Sequence, residues 1–195
     1  MQMMKETERC FVAICLEENI KNEIIKAQKV LAKIDCPVKW VEAENLHLTM
    51  KFLGDMKNEL LPSVIDVLSS LTKNFKPMQF YLTQIGAFPS FQRPKIIWAG
   101  VKDENESIKH LVDQMEDGLF SLGLPKENRE FVGHITVGRV KSLRNVRLLA
   151  DTILQYPMLP TFKQAVKAIT LYKSTLTAQG PIYEVVKNFM LRQET

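Results

Sequence analysis

Leu46-His-Leu-Thr-Met-Lys-Phe-Leu-Gly54 is the stretch of sequence that decides the fold, because Gly133-His-Ile-Thr-Val-Gly-Arg-Val140 repeats its pattern far along the chain. Both stretches carry His-x-Thr on a short apolar run, which indicates a β-strand. Each is preceded by strand and helix patterns and is followed by a predicted helix. The repeat predicts two lobes of similar topology, each presenting one histidine and one threonine.

Strand geometry gives the repeated motif a chemical purpose. Residues two apart in a strand point to the same face, so His47 shares a face with Thr49. His134 and Thr136 do the same in the second strand. If the strands lie side by side, the imidazoles, which exchange protons near their unperturbed pKa of about 6.5, line one cleft with hydroxyls suited to phosphate oxygens. The set predicts acid–base displacement at phosphorus without a metal.

Two less specific interpretations of the histidines stay open at this point. A single strand histidine is usually an ordinary core or edge residue, and this holds for either motif taken alone. The third histidine, His110, has Glu106 and Asp113 at helical spacing, which would allow a metal site. A solvated polar helix face is the commoner origin of such a set, so we expect no metal and no cofactor.

The rest of the chain alternates strand and helix patterns, which is typical of a mixed α and β fold. Predicted strands cover Arg9–Leu16, Val38–Val41, Leu46–Leu53, Phe80–Ile85, Ile96–Val101, His134–Val140, Ala165–Tyr172 and Pro181–Met190. Predicted helices run from Glu17 to the stop at Asp35–Pro37 and over Leu60–Leu71, Asp103–Leu122 and Asn145–Tyr156. Gly86–Pro94 is predicted to be a loop.

Composition and charge exclude several classes of protein. With 46% hydrophobic and 25% charged residues, the chain is globular rather than disordered, and no apolar run approaches the roughly 18 residues of a membrane span. The net charge of +4 permits a polyanionic partner. Three cysteines in this arrangement argue against a disulfide framework and a zinc site. The first residues do not lead into a secretory segment, so we expect a cytoplasmic protein.

These motifs resemble those of the two-histidine (2H) phosphoesterase superfamily, and more closely the RNA 2′,3′-cyclic phosphodiesterases, also called LigT-like 2′-5′ RNA ligases. The resemblance covers nearly the whole chain. It rests on Arg9–Ile14, Asn45–Asp55, Phe88–Gly100, Phe131–Arg139, Leu171–Leu176 and Gly180–Glu184. One departure is Gly133, where the family usually has proline before the second histidine. Glycine there would loosen the approach to the strand.

The resemblance implies an α+β fold in which residues 1–195 form a single domain of two intertwined, pseudo-twofold related lobes. Their two antiparallel sheets would form a V-shaped central cleft with the helices on the outside. The implied activity is hydrolysis of a terminal 2′,3′-cyclic phosphate on RNA to a 2′-phosphomonoester. A weaker reverse reaction would join RNA ends by a 2′-5′ bond. The implied partner is RNA with such an end, tRNA fragments among them, bound by a monomer that contacts no membrane.

The resemblance also implies roles for the motif residues. His47 would act as the general acid and His134 as the general base, while Thr49 and Thr136 hold non-bridging oxygens. Arg139 would offset charge that develops on the phosphate. Arg139 lies five residues after His134, so in a regular strand it faces away from the cleft. Reaching the phosphate therefore requires a bulge or the end of the strand.

Phe88 and Phe91 lie in the proline-rich segment near the predicted cleft mouth. In the functional interpretation one ring stacks on a terminal base. In the alternative, both rings are buried and anchor the loop. The sequence does not separate these two interpretations.

Two alternative functions follow from the same residues. Basic residues after the second motif, together with Gly133, allow a noncatalytic protein that binds RNA ends. The same fold would also allow a phosphodiesterase that acts on a 2′-5′ oligoadenylate or a small cyclic nucleotide.

Overall fold

The computed structural model describes residues 6–178 and 180–193. The strands in these ranges are β1 Thr7–Cys15, β2 Val38–Trp40, β3 His47–Lys57, β4 Met78–Phe88, β5 Ile96–Lys102, β6 His134–Val140, β7 Lys163–Val166, β8 Ala168–Leu176 and β9 Pro181–Met190. The α-helices are α1 Glu18–Leu31, α2 Leu61–Thr72, α3 Ser107–Phe120 and α4 Val146–Gln155. No helix in the described ranges has both the length and the apolarity that crossing a membrane requires.

The strands form one antiparallel sheet that consists of two halves. One half has the order β7-β4-β5-β6, with β2 also paired to β6, and the other has the order β3-β1-β8-β9. The halves meet through a single pair, Leu48 with Ile135, between β3 and β6. The predicted α+β class is confirmed, and the two predicted sheets take the form of two halves joined at this seam.

The two halves correspond to each other strand by strand. β3 corresponds to β6, β1 to β5 and β8 to β4, so the order β4-β5-β6-β3-β1-β8 is equivalent from either end. The registers correspond as well, since Cys15 lies opposite His47 in one half. In the other half, Gly100 lies opposite His134. This correspondence is the pseudo-twofold relation that the resemblance implied.

Alternating burial along the motif strands places the hydrophobic core behind the cleft. In β3 and β6 the core face carries Leu48, Met50, Ile135 and Val137. Helix α1 packs near β6 and α3 packs near β3. Both bury apolar residues at helical spacing, namely Ile20, Ile24, Ala27 and Leu31 in α1, and Ile108, Leu111, Met115 and Leu119 in α3. The polar faces of the two strands are thereby left for the cleft.

The predicted loop at Gly86–Pro94 is wrong at its start, because β4 continues to Phe88. Gly86 lies under the indole of Trp98, and a Cβ atom at this position would come within 2.2 Å of that ring. The glycine therefore allows close packing between β4 and β5 and does not form a turn.

The single strand predicted over Ala165–Tyr172 is two strands. β7 ends at Val166 and pairs with β4, whereas β8 begins at Ala168 and pairs with β1. The chain therefore passes from one half of the sheet to the other at Lys167. The sequence has no proline or glycine here to indicate the break.

Other predicted element bounds shift by a few residues, and two of these shifts have a visible physical reason. Helix α3 begins at Ser107 rather than at Asp103, and the carboxylate Oδ2 of Asp103 instead accepts a 2.5 Å hydrogen bond from the backbone N–H of Ile108. Strand β3 continues through Gly54, which has a φ of +69°, and ends at Lys57. A register shift against β1 absorbs the glycine, so it does not close the strand.

Candidate active site

The two histidines lie on neighbouring strands at the seam between the halves. Leu48 pairs with Ile135, and their side chains point into the core. His47 and His134, each directly before its paired residue, therefore point to the opposite, cleft face. Because the strands are antiparallel, each histidine lies on the side where the other motif has its threonine. All four motif side chains are half-buried, so the structure brings the predicted set together in one place.

Each histidine ring is fixed by the same backbone contact. The Nδ1 atom of His47 lies 2.7 Å from the carbonyl oxygen of Asn45, and Nδ1 of His134 lies 2.8 Å from that of Val132. A carbonyl oxygen can only accept, so Nδ1 carries the proton in both bonds. The Nε2 atom of each ring is left as the group that takes or gives a proton at the cleft.

Aromatic rings surround His47. Its ring centroid lies 4.9 Å from that of Phe11 on β1 and 5.4 Å from that of Tyr183 on β9, the latter in an edge-on arrangement at 86°. Strands β3 and β9 are three positions apart in the sheet, roughly 14 Å in a flat sheet. The contact between their side chains shows that this half of the sheet curls around the cleft.

These surroundings change the pKa of His47. Burial lowers the pKa, the hydrogen bond to the carbonyl of Asn45 raises it, and the positive charge of Arg139 lowers it further. The net direction is below the usual value, so the neutral ring is favoured in the ligand-free protein. An anion bound beside the ring would favour the protonated form and offset this effect.

His134 has a different neighbourhood. The ring of Phe88 meets it edge-on, with centroids 5.3 Å apart and planes at 90°, and Phe88 in turn packs against Trp98 at 5.0 Å. Gly133 does not leave the start of the strand unpaired, because its carbonyl oxygen accepts a 3.0 Å hydrogen bond from the N–H of Val101. A Cβ atom at Gly133 would come within 3.2 Å of Val101, so the two backbones approach closely.

A β-bulge brings Arg139 to the cleft face. Thr136 pairs with Trp98 and Gly138 pairs with Ile97, which leaves Val137 as an extra residue on β6. The extra residue reverses the alternation of faces beyond it. Arg139 is therefore on the same side as the histidines, and its charge lowers the pKa of His47. The bulge that the sequence argument required is present.

Strand β3 contains the matching bulge. Thr49 pairs with Ala13 and Lys51 pairs with Val12, which leaves Met50 as the extra residue. The bulge turns Lys51 into the core and turns Phe52, which is 60% exposed, to the cleft face. Phe52 thus occupies the position in β3 that Arg139 occupies in β6.

Lys51 was not among the residues predicted from the sequence, although a lysine inside an apolar strand is a signal that could have indicated it. Its side chain is buried, and its Nζ atom lies 2.6 Å from the Glu116 carboxylate and 2.9 Å from the carbonyl oxygen of Pro125. The same carboxylate oxygen accepts a hydrogen bond from the backbone N–H of Glu127. This buried ion pair connects the strand of the first histidine to the segment that leads into the second.

The remaining predicted residues fall in different places. Phe88 contacts His134, but Phe91 is partly buried and packs against the hydrophobic core, as in the loop-anchor interpretation. In the basic stretch after β6, Arg144 forms an exposed ion pair with Asp35. His110 is an exposed residue of α3. Within residues 6–178 and 180–193, no group of three histidine, cysteine or carboxylate side chains is placed to hold a metal.

Comparison with known proteins shows the family of this chain. Residues 14–98 and 100–183 match the LigT like phosphoesterase family, and each matched segment contains one His-x-Thr motif. The RNA 2′,3′-cyclic phosphodiesterase of Methanocaldococcus jannaschii is 40% identical over 181 residues, which are 93% of this chain and 99% of the relative. The RNA 2′,3′-cyclic phosphodiesterase of Archaeoglobus fulgidus is 35% identical over 93% of this chain and 99% of the relative. The crystal structure of a Thermus thermophilus protein superposes with a TM-score of 0.80 at 26% identity, covering 96% of this chain and 100% of that one.

Proposed function

Because this chain belongs to the LigT-like phosphoesterase family, we propose that it hydrolyses a terminal 2′,3′-cyclic phosphate on RNA to a 2′-phosphomonoester. The observation that carries the proposal is the pair of histidines on either side of the Leu48–Ile135 seam. Both rings are held through Nδ1 by a backbone carbonyl, so both Nε2 atoms are available for proton transfer.

The reaction needs one base and one acid. In our proposal Nε2 of His134 takes a proton from water while the water oxygen attacks phosphorus. The bond between phosphorus and the 3′ oxygen breaks, and Nε2 of His47 gives its proton to that oxygen. The phosphate stays on the 2′ oxygen, and proton exchange with solvent returns both rings to their starting states.

Three further residues are suited to the negative charge of the phosphate. The hydroxyls of Thr49 and Thr136 lie on the cleft face and would donate hydrogen bonds to the non-bridging oxygens. The guanidinium of Arg139, brought to this face by the bulge, would stabilise the charge that builds up as water attacks. No described residue is required to hold a metal in this scheme.

The low pKa of His47 in the free protein is compatible with the acid role. Burial disfavours the protonated ring, but the bound phosphodiester anion restores it. Once protonated, a histidine of lowered pKa gives up its proton more readily than an ordinary one.

Product analysis on a short RNA that ends in a 2′,3′-cyclic phosphate tests the proposal. We expect a 2′-phosphomonoester from the wild-type protein, and no product from the double variant His47→Ala/His134→Ala. The same RNA with a linear 3′-phosphate should be left unchanged. Binding without turnover would instead favour the RNA-end binder, and a higher kcat/KM on a 2′-5′ oligoadenylate or a small cyclic nucleotide would change the substrate class.

The cellular setting forms a further part of the proposal. The free thiols Cys10, Cys15 and Cys36 fit a reducing compartment, and we propose the cytoplasm, with tRNA fragments among the RNA substrates. We also propose a monomer whose two lobes unfold as one unit, because β8 and β9 return to the half of the sheet that contains β1. Sedimentation equilibrium and a single unfolding transition would test these two points.

A further inference from the structure

Tyr183 reaches the catalytic site from the last strand of the sheet. Its ring meets His47 edge-on at 5.4 Å and Phe11 at 4.9 Å, at interplanar angles of 86° and 70°. The ring is half-buried. These contacts place a phenol beside the ring that we propose as the general acid.

Hydrogen bonds join Thr177 to Gly180 ahead of Tyr183. The N–H of Thr177 donates to the carbonyl oxygen of Gly180 at 2.9 Å, and its hydroxyl donates to the same oxygen at 2.7 Å. A Cβ atom at Gly180 would lie 3.4 Å from Nζ of Lys39, which belongs to β2 in the other half of the sheet. The end of the β8–β9 hairpin therefore lies beside β2 in the other half of the sheet, and the strand that begins there carries Tyr183 to the His47 ring.

The hydroxyl of Tyr183 differs from that of its neighbour Tyr172. The Tyr172 hydroxyl lies 2.8 Å from Sγ of Cys15 and is satisfied within the protein. Among residues 6–178 and 180–193, no hydrogen-bond partner is found for the Tyr183 hydroxyl. Burial raises the pKa of this hydroxyl more than the charge of Arg139 lowers it, so at neutral pH it is a donor.

The charge of Arg139 affects both the His47 ring and the Tyr183 hydroxyl. Its positive charge lowers the pKa of His47 and the pKa of Tyr183. The guanidinium thus lies near the unpaired hydroxyl and near the catalytic ring. A phosphate oxygen bound by Arg139 would therefore lie in the neighbourhood of both the His47 ring and the Tyr183 phenol.

We propose that Tyr183 is a further substrate-binding residue, which donates a hydrogen bond from its hydroxyl to the phosphate oxygen that Arg139 neutralises. The inference rests on the proposed function, because it assigns a contact within the same phosphate site. The competing role is packing alone, in which the ring encloses His47 and the hydroxyl contributes nothing.

The variant Tyr183→Phe separates these two roles, since it keeps the ring contacts and removes the hydroxyl. Tyr172→Phe is the matched control, because it keeps the ring and removes a hydroxyl of the same hairpin whose partner is Sγ of Cys15. We expect Tyr183→Phe to lower kcat/KM on the cyclic phosphate roughly 10- to 100-fold, the loss of one hydrogen bond to a charged group. Tyr172→Phe should stay close to wild type, and the acid limb of the pH profile should not move in either variant.

Binding of adenosine 2′-monophosphate, measured by calorimetry, gives a second readout that does not need turnover. Tyr183→Phe should weaken this binding, and Tyr172→Phe should not. Equal behaviour of the two variants in both assays would overturn the inference. If the wild type does not hydrolyse the cyclic phosphate, the proposed function fails, and the binding comparison still decides whether the hydroxyl contacts phosphate.

Discussion

Leu48 and Ile135 form the single backbone pair between β3 and β6, and the two histidine motifs are centred on it. One pair gives little hydrogen bonding across the seam, so other contacts must fix the relative positions of the histidines. The buried Lys51–Glu116 pair is one of them, because it connects β3 to the segment before β6. The two histidine rings lie on neighbouring strands although the halves share only this one pair.

Alanine at either motif histidine should remove nearly all turnover. We expect His47→Ala and His134→Ala each to lower kcat at least 100-fold, because a positioned acid or base contributes about 10²- to 10⁴-fold. His110→Ala is the matched control, since His110 is exposed on α3, and should retain wild-type activity. Near-normal kcat in either motif variant, with folding confirmed by circular dichroism, would refute the acid–base mechanism.

A modified leaving group should identify the acid. A cyclic substrate with sulfur in place of the 3′ oxygen has a leaving group that needs little protonation. We expect this substrate to restore much of the rate of His47→Ala and little of the rate of His134→Ala, as single-turnover kinetics would show. The opposite pattern would exchange the two roles.

The lowered pKa of His47 should make stability depend on pH. The unfolded chain binds the proton with a pKa of about 6.5, whereas the folded chain binds it with a lower pKa. Stability from this group is therefore present above pH 6.5 and is lost as the pH falls towards the folded value. We expect urea unfolding to show this loss in wild type and in His110→Gln, but not in His47→Gln. A parallel pH dependence in all three proteins would contradict the lowered pKa.

Breaking the buried ion pair should cost stability. Lys51→Met leaves the Glu116 carboxylate without its cation, and we expect a loss of about 3–5 kcal/mol in urea unfolding. Replacing both residues, Lys51→Met with Glu116→Leu, should recover much of this loss. The control Lys109→Met removes an exposed ion pair with Glu130 and should change stability little. If Lys51→Met behaves like Lys109→Met, the buried pair does not support the seam.

Removal of divalent cations should leave hydrolysis unchanged. The proposed chemistry uses two imidazoles, two hydroxyls and a guanidinium, so incubation with EDTA followed by desalting should not alter kcat. A loss of activity that a divalent cation restores would require a metal-dependent mechanism.

The motif faces could be predicted from sequence because they depend on local alternation. His47 and Thr49 needed no knowledge of the rest of the chain, and the same holds for His134 and Thr136. Local alternation alone could not place Arg139 at the cleft, since the bulge at Val137 arises from pairing with β5, and only the family resemblance implied that position. A local rule places Arg139 on the wrong face.

Contacts between segments that are distant in the sequence could not be predicted either. Tyr183 and His47 are far apart in sequence and meet because the sheet curls. The break at Lys167 likewise reflects the change of partner from β4 to β1, for which the residues give no local signal. Burial of Lys51 depends on Glu116 in α3, a partner that sequence spacing alone does not identify.

Strands β4 and β8 each lie in the half of the sheet that contains the histidine motif of the other chain segment. The segments 14–98 and 100–183 each contain one motif, but β4 of the first pairs with β5 and β7, and β8 of the second pairs with β1 and β9. Each half of the sheet is thus built from strands of both chain segments, as in a dimer whose subunits have exchanged strands. Neither segment could complete its own share of the core if it were synthesised alone, so each would depend on the other to become soluble.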